Sequence, residues 1–274
     1  MVERRKKRGL LLLGGLLLLG VLVLFGSSLI DRYSGVPVLN YHGIEDHEHN
    51  PLMLGVADFD RQMAYLAQEG YHSITPKQLL AHLEQGAELP SKPILITFDD
   101  GYRNNYDNAY PILKKYGLTA TIFLVTDTVG TNDWYLNWQQ VEEMRKAGFV
   151  FGSHTLNHVP LNDLSQDEIR FQLTKSKEGM QWKLDVPIDY FAYPTGAYNE
   201  TVGELVREAG YKAAFTIDFG RVKVGDNPYA LDRIPILKTK SPFYHFYTRL
   251  NFTTLMGKAK LAKEWVLGPS TLTL

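Results

Sequence analysis

Beyond an apolar stretch at its start, the chain alternates short apolar runs with segments whose apolar residues recur at helical spacing. Val36 to Tyr41, Ile94-Leu95-Ile96, Thr119 to Val125, Phe149-Val150-Phe151, Ile188 to Tyr193 and Tyr211 to Thr216 have the length and the β-branched or aromatic content of buried strands. Asp58 to Gln68 carries Phe59, Met63 and Leu66 on one helical face and stops at Gly70. Thr75-Pro76 reads as an N-cap with proline at the first helical position, leading into Lys77 to Leu83. Pro111 to Tyr116 closes at Gly117, and Asn199 to Ala209 is again helical. Asn137 with Gln140, and Ser165 with Glu168, are capping-box pairs that open two more helices. Repeated strand–helix units call for a parallel sheet with helices outside it.

The first 30 residues follow a different pattern. Arg4-Arg5-Lys6-Lys7-Arg8 precedes Leu10 to Phe25, a run made only of Leu, Gly, Val and Phe. Extended to Ile30, it has about the 20 residues that cross a bilayer as a helix. Its basic flank predicts a cytoplasmic N-terminus and an exported remainder. A cleaved signal peptide and a retained signal anchor compete here. The run is long for a signal h-region and lacks a clear small-residue cleavage site, which favours the anchor. Residues 3–8 carry +4, so the formal −1 of the chain leaves −5 for the rest. A mildly acidic domain gives no reason to expect nucleic acid as a partner. Without cysteine, disulfides, thiolate ligands and thiol catalysis are excluded. The expected organisation is an anchor over 1–30, one catalytic domain over 31–240 and a tail over 241–274.

Two stretches carry candidate chemistry. Thr97-Phe98-Asp99-Asp100-Gly101 ends a buried strand with adjacent carboxylates, which raise one another's pKa and are penalised by burial. A strand-end turn accounts for Asp and Gly there; a bound divalent cation accounts for the pair. Downstream, His154 and His158 stand four apart after another short strand, close enough for one turn to bring both imidazoles to one side. Pro160 argues against a long helix. Two histidines and a carboxylate form the ligand set of a catalytic metal site, which keeps a position for water or substrate.

These two stretches, with Phe191-Ala192-Tyr193-Pro194-Thr195-Gly196 as a third, resemble the leading motifs of the polysaccharide deacetylases, the NodB-homology or carbohydrate esterase family 4 domain. The resemblance runs from Val36 to Ile236. Motifs at strand C-termini favour a closed barrel over an open sheet, and the family's distorted (β/α) barrel agrees. The resemblance implies that Asp100, His154 and His158 hold a divalent metal, zinc foremost, with cobalt and nickel suited to the same donors. It implies Asp99 as general base, the Thr195 backbone N–H as oxyanion donor, and hydrolysis of N-acetyl groups on an N-acetylglucosamine polymer. Tyr41-His42-Gly43-Ile44 is similar to the permuted arrangement of members that trim exported poly-N-acetylglucosamine, which makes His42 the expected general acid. Two departures stand out. Ala192 occupies the place where many members carry the arginine that orients the base. The usual aspartate-bearing fourth motif is not evident, with Asp218 and Asp232-Arg233 as candidate substitutes.

Other features change the picture less. Glu45 to His49 reads as a solvated loop, because no apolar run brings it to a pocket. Tyr193, Trp134 and Trp138 are the candidate substrate-binding aromatics, with helix packing the alternative for the tryptophans. The expected function is a membrane-held, metal-dependent deacetylase of extracellular poly-β-1,6-N-acetylglucosamine. Peptidoglycan or chitin oligomers are the alternative substrates. A non-catalytic glycan-binding protein is the reading of another class, supported by Ala192 and the missing fourth motif.

Overall fold

The computed structural model describes residues 35–47, 50–257 and 259, together with positions 15, 19, 20, 22, 23 and 26. No helix among the described residues is long and apolar enough to cross a membrane. The expected anchor, apart from those six positions, lies outside the described residues, as does the tail beyond 257 apart from 259.

Seven parallel strands close into a barrel: β1 (Val38–Tyr41), β5 (Pro93–Phe98), β6 (Thr121–Leu124), β7 (Val150–Ser153), β8 (Tyr190–Ala192), β9 (Ala213–Phe219) and β10 (Leu231–Pro235). Closure comes from β1, which pairs with β5 on one side (Val38 beside Leu95) and β10 on the other (Leu39 beside Ile234). Three two-residue strands complete the set. β2 (Gly43–Ile44) pairs with β3 (Met53–Leu54), and β4 (His72–Ser73) lies beside the start of β5. Helices α1 (Val56–Gln68), α2 (Pro76–Gln85), α3 (Tyr110–Lys115), α4 (Trp138–Lys146), α5 (Gln166–Leu184) and α6 (Glu200–Glu208) fall between the strands. The expected caps form: Thr75, Asn137 and Ser165 each accept from the backbone N–H three residues on.

Strand alternation sorts the barrel residues into two cores. Val38, Leu95, Phe123, Ala192, Phe215 and Leu231 belong to the cluster inside the barrel. Their neighbours Leu39, Tyr41, Ile94, Ile96, Phe191 and Ile234 pack outward under the helices. A fully buried chain of this size contributes roughly 1.5–3 kcal/mol. Following the inward parity toward the C-terminal ends of the strands leads to Asn40, Thr97, Asp99 and Arg233, all at most 2% exposed. Polar residues thus floor the barrel mouth above an apolar interior.

Two elements are not marked by the sequence pattern. β10 reads Leu-Asp-Arg-Ile-Pro, with two charges in five residues. Helix α7 (Pro242–Asn251) falls in the expected tail, yet Phe246 and Leu250 are fully buried and Tyr65 of α1 meets the rings of Phe243, Phe246 and Tyr247 edge-on. These tail residues therefore share the core of the barrel domain.

Candidate active site

Asp99 and Asp100 follow β5 at a turn with two consecutive left-handed residues, Asp100 (φ 72°) and Gly101 (φ 73°). Aspartate tolerates that conformation better than most residues. Glycine suits the next position because its φ is positive, and a Cβ there would also stand 2.6 Å from Leu124 Cδ2. The turn separates the two carboxylates. Asp99 points to the barrel floor, and Asp100 meets His154 and His158.

His154 continues β7, with its N–H bonded to the carbonyl of Leu124. Its Nδ1 lies 2.7 Å from the Ala192 carbonyl oxygen, which fixes that nitrogen as the donor and leaves Nε2 as the ligating atom. His158 sits on the following turn, its N–H donating to Thr155 Oγ1 at 2.9 Å. Asp100 Oδ1 lies 3.6 Å from His154 Nε2 and 3.3 Å from His158 Nε2. One donor atom from each of the three residues falls within 4.8 Å of the others. Two imidazoles and a carboxylate in this arrangement fit a divalent metal. Burial pushes the His154 pKa down, against the charges of Asp99 and Asp100, and so favours the neutral, ligating form. Thr155 (φ 66°), His158 (φ 63°) and Thr195 (φ 56°) are also left-handed. Such backbone strain gathers where geometry must be held for function.

The Asp99 carboxylate is clamped from two strands. Arg233 Nη1 donates to Oδ1 at 2.8 Å and Nη2 to Oδ2 at 2.7 Å, while Asn40 Nδ2 donates to Oδ2 at 2.9 Å. The guanidinium is itself held by the Thr216 carbonyl through Nε at 2.7 Å and by Thr97 Oγ1 at 3.3 Å. Its carbon lies 5.9 Å from the Phe123 ring centroid. Burial acts to raise the pKa of Asp99. The Arg233 charge, His154, the Arg233 hydrogen bonds and His42 outweigh it and hold the carboxyl well below its ordinary range. Arg233 thus brings from β10 the guanidinium that the resemblance places in the third motif, on β8. Ala192 adds its methyl to the barrel interior and its carbonyl orients His154. Of the other candidate substitutes, Asp218 is exposed and Asp232 alternates away from the barrel interior.

His42 follows β1 and is close enough for its charge to act on Asp99. Three asparagines around a wide π-helical turn (Asn105–Ala109) hold its segment. Asn105 Nδ2 donates to the His42 carbonyl, Asn104 Oδ1 accepts the Ile44 N–H, and Asn108 Nδ2 donates to the Ile44 carbonyl. Among the described residues, His42 Nδ1 is buried without a hydrogen-bond partner. Tyr102, which no motif marks, stacks on Tyr135 at 5.6 Å, and burial together with the nearby Asp100 charge pushes its pKa up.

The candidate aromatics divide. Trp134 is 57% exposed, whereas Trp138 packs against the helix-layer core. Tyr193 is fully buried, its ring against Phe191 and Tyr198 and its hydroxyl donating to the Tyr229 carbonyl. Its side chain is a packing group rather than a substrate contact, because outward strand parity turns it under the helices. Of the Glu45 to His49 loop, Asp46 accepts the Val56 N–H at the start of α1.

Known proteins are similar to this chain in sequence and in fold. A polysaccharide deacetylase profile matches residues 86–214. YxkH of Bacillus subtilis, whose name assigns it to the polysaccharide deacetylases, is 34% identical over 201 residues, 73% of this chain and 71% of that one. The chain belongs to the polysaccharide deacetylase family. It is thus a hydrolase acting on N-acetyl amide bonds, in a family that uses a divalent metal. The deacetylase is also 29% identical over 206 residues to the poly-β-1,6-N-acetyl-D-glucosamine N-deacetylase of Staphylococcus aureus, covering 70% of each chain. The structure of the Streptococcus pyogenes deacetylase PplD, solved with acetate, superposes with a TM-score of 0.74 at 29% identity, covering 79% of this chain and 98% of that one. The profile's limits fall after β1 and before β10, so His42 and Arg233 lie outside it while Asp99 and the metal triad lie within.

Proposed function

We propose that this deacetylase hydrolyses the N-acetyl groups of an exported poly-β-1,6-N-acetylglucosamine, releasing acetate and leaving glucosamine units. The observation that carries the reading is that His42, at the end of the first strand, lies near enough for its charge to act on the Arg233-clamped Asp99. It supports a permuted acid–base pair, and the Staphylococcus aureus relative supports the polymer. The basic cluster and apolar run at the N-terminus support retention at the outer face of a cell membrane.

Asp100, His154 and His158 would hold the metal, zinc being the ion best suited to two imidazoles and one carboxylate at a catalytic site. When bound, it supplies Lewis acidity, polarising the acetamide carbonyl and acidifying a water enough for so weak a base as Asp99 to serve. Arg233 and Asn40 engage three of the roughly four acceptor sites of the Asp99 carboxylate, leaving one on Oδ1. That site takes the proton of the attacking water. As the acetyl carbon becomes tetrahedral, the Thr195 N–H donates to its oxyanion. The amine departs only once protonated, and His42 delivers that proton.

The test is acetate release from β-1,6-linked N-acetylglucosamine oligomers by enzyme that has been chelated and then refilled with zinc or cobalt. Metal-dependent release lost in both Asp99→Asn and His42→Ala is the expected result. Release that survives His42→Ala sinks the permuted acid. Release from chitin oligomers or peptidoglycan but not from the β-1,6 polymer moves the enzyme to those substrates.

A further inference from the structure

A cavity of about 310 Å³ opens on the face of the barrel that carries the metal triad. Its volume is at the small end for ligand pockets. Glu45 lines it from the segment after β2, Arg103, Asn104 and Asp107 from the segment after Gly101, and Asp133 and Trp134 from the loop after β6. The wall is continuous with the metal site. Leu136 N–H donates to the Gly101 carbonyl at 2.9 Å, Arg103 N–H donates to the Trp134 carbonyl at 2.8 Å, and Tyr135 stacks on Tyr102, two residues after Asp100. The cavity wall is therefore built on the same turn that carries Asp100.

Its chemistry combines an aromatic face with excess negative charge. Trp134 stands at the lip, in contrast with Trp138 four residues on, which packs into the core. Three carboxylates face one cation, a formal −2. Arg103 is shared between Asp107 at 3.1 Å and Asp133 at 3.2 Å, and Glu45 accepts from the Asn104 amide at 3.5 Å. An indole face and uncompensated carboxylates attract an ammonium group and give a neutral acetamide no such advantage. The enzyme's own product is a sugar bearing an ammonium group near neutral pH.

We propose that this cavity is a subsite for a glucosamine unit deacetylated earlier, so that the enzyme prefers an acetylated sugar whose neighbour has already lost its acetyl group. The proposal rests on the reading of the chain as a poly-N-acetylglucosamine deacetylase. It makes deacetylation cluster along the polymer, and it assigns Glu45, Asp133 and Trp134 as specificity-determining residues.

The experiment compares kcat/KM for acetate release from two β-1,6-linked pentasaccharides, one fully acetylated and one with a single internal glucosamine, using zinc-loaded enzyme near neutral pH. Roughly fivefold preference for the second is expected from one cation–π contact and partly exposed carboxylates. Trp134→Ala, and Glu45→Gln with Asp133→Asn, should each bring the ratio toward one. A ratio taken on one preparation cancels any fraction that fails to fold. Equal rates on both oligomers with wild-type enzyme, or a preference intact in both variants, overturn the subsite and leave the deacetylase reading standing. No acetate from either oligomer sinks the substrate reading, and the subsite with it.

Discussion

Asp99 and Asp100 are consecutive residues in opposite electrostatic surroundings, and each belongs to a different region of the barrel mouth. On the floor, Asp99 has its countercharge within the chain: the fully buried Arg233 and the Asn40 amide leave the cluster without net charge. On the rim, Asp100 meets two imidazoles, and burial of His154 disfavours a proton there. The rim cluster is thus one positive charge short. The floor is a structural ion pair that the proposed mechanism also uses, while the rim is a set of donors suited to an external cation.

The strongest way to break this comparison is at the rim. Asp100→Ala or His154→Ala should abolish metal retention and lower acetate release by roughly a thousandfold or more, since several kcal/mol of transition-state stabilisation leave with the ion. Elemental analysis after dialysis, beside acetate release, checks it. In the metal-free state Asp100→Asn, which suits the left-handed backbone at that position, should change unfolding stability by less than about 1 kcal/mol, because the rim carboxylate is not a folding contact. Tight metal binding by either variant would remove the triad from the reading.

At the floor the same kind of truncation should act on the fold. Arg233→Met leaves the Asp99 carboxylate buried beside no cation, which costs about 3–5 kcal/mol in denaturant unfolding. Adding Asp99→Asn to Arg233→Met should recover most of that loss, since removing both charges is often nearly neutral. Loss without recovery would mean that Arg233 acts through packing on Phe123 rather than through charge. A smaller step is Asn40→Leu, which removes one hydrogen bond to an ionised carboxylate, about 1.5–3 kcal/mol. Acetate release should fall in it with little change in metal content, the reverse of the rim variants.

The two regions also differed in how far the chain revealed them. The rim was legible because its donors sit in two short stretches at strand ends, with Gly101 and Pro160 marking the turns. The barrel followed from repeated strand–helix units and from caps at Thr75, Asn137 and Ser165. Arg233 was legible only as half of a charged dipeptide, because β10 is two-fifths charged and its alternation is masked. A guanidinium 134 residues from its partner leaves no local pattern. Asn40 was hidden inside an apolar strand. Tyr193, read as a substrate contact, shows the converse: strand parity decides which side of a sheet a motif residue serves, and here it turns the ring outward.

Asp232, one residue before Arg233, provides the comparator that the floor lacks: a part-buried carboxyl whose neighbouring charges are mainly those of other carboxylates. Burial, then Asp218 and Asp226, against Lys223, push its pKa up to about 6. An unfolded aspartate titrates near about 3.9. Between those values the folded protein holds the proton that the unfolded chain has lost, so stability falls as pH rises through the window. The contribution is complete below about pH 4 and gone above the folded value. Asp232→Asn keeps the shape without the charge. It should therefore gain about 1 kcal/mol at about pH 7.5, a figure discounted for the solvent that still reaches the group, and nothing at about pH 4. Urea unfolding at the two pH values measures the difference. An equal gain at both would trace the effect to packing. No gain at either would mean that a carboxylate near the barrel mouth needs no paired cation, and the strain assigned to an unpaired Asp99 would lose its support.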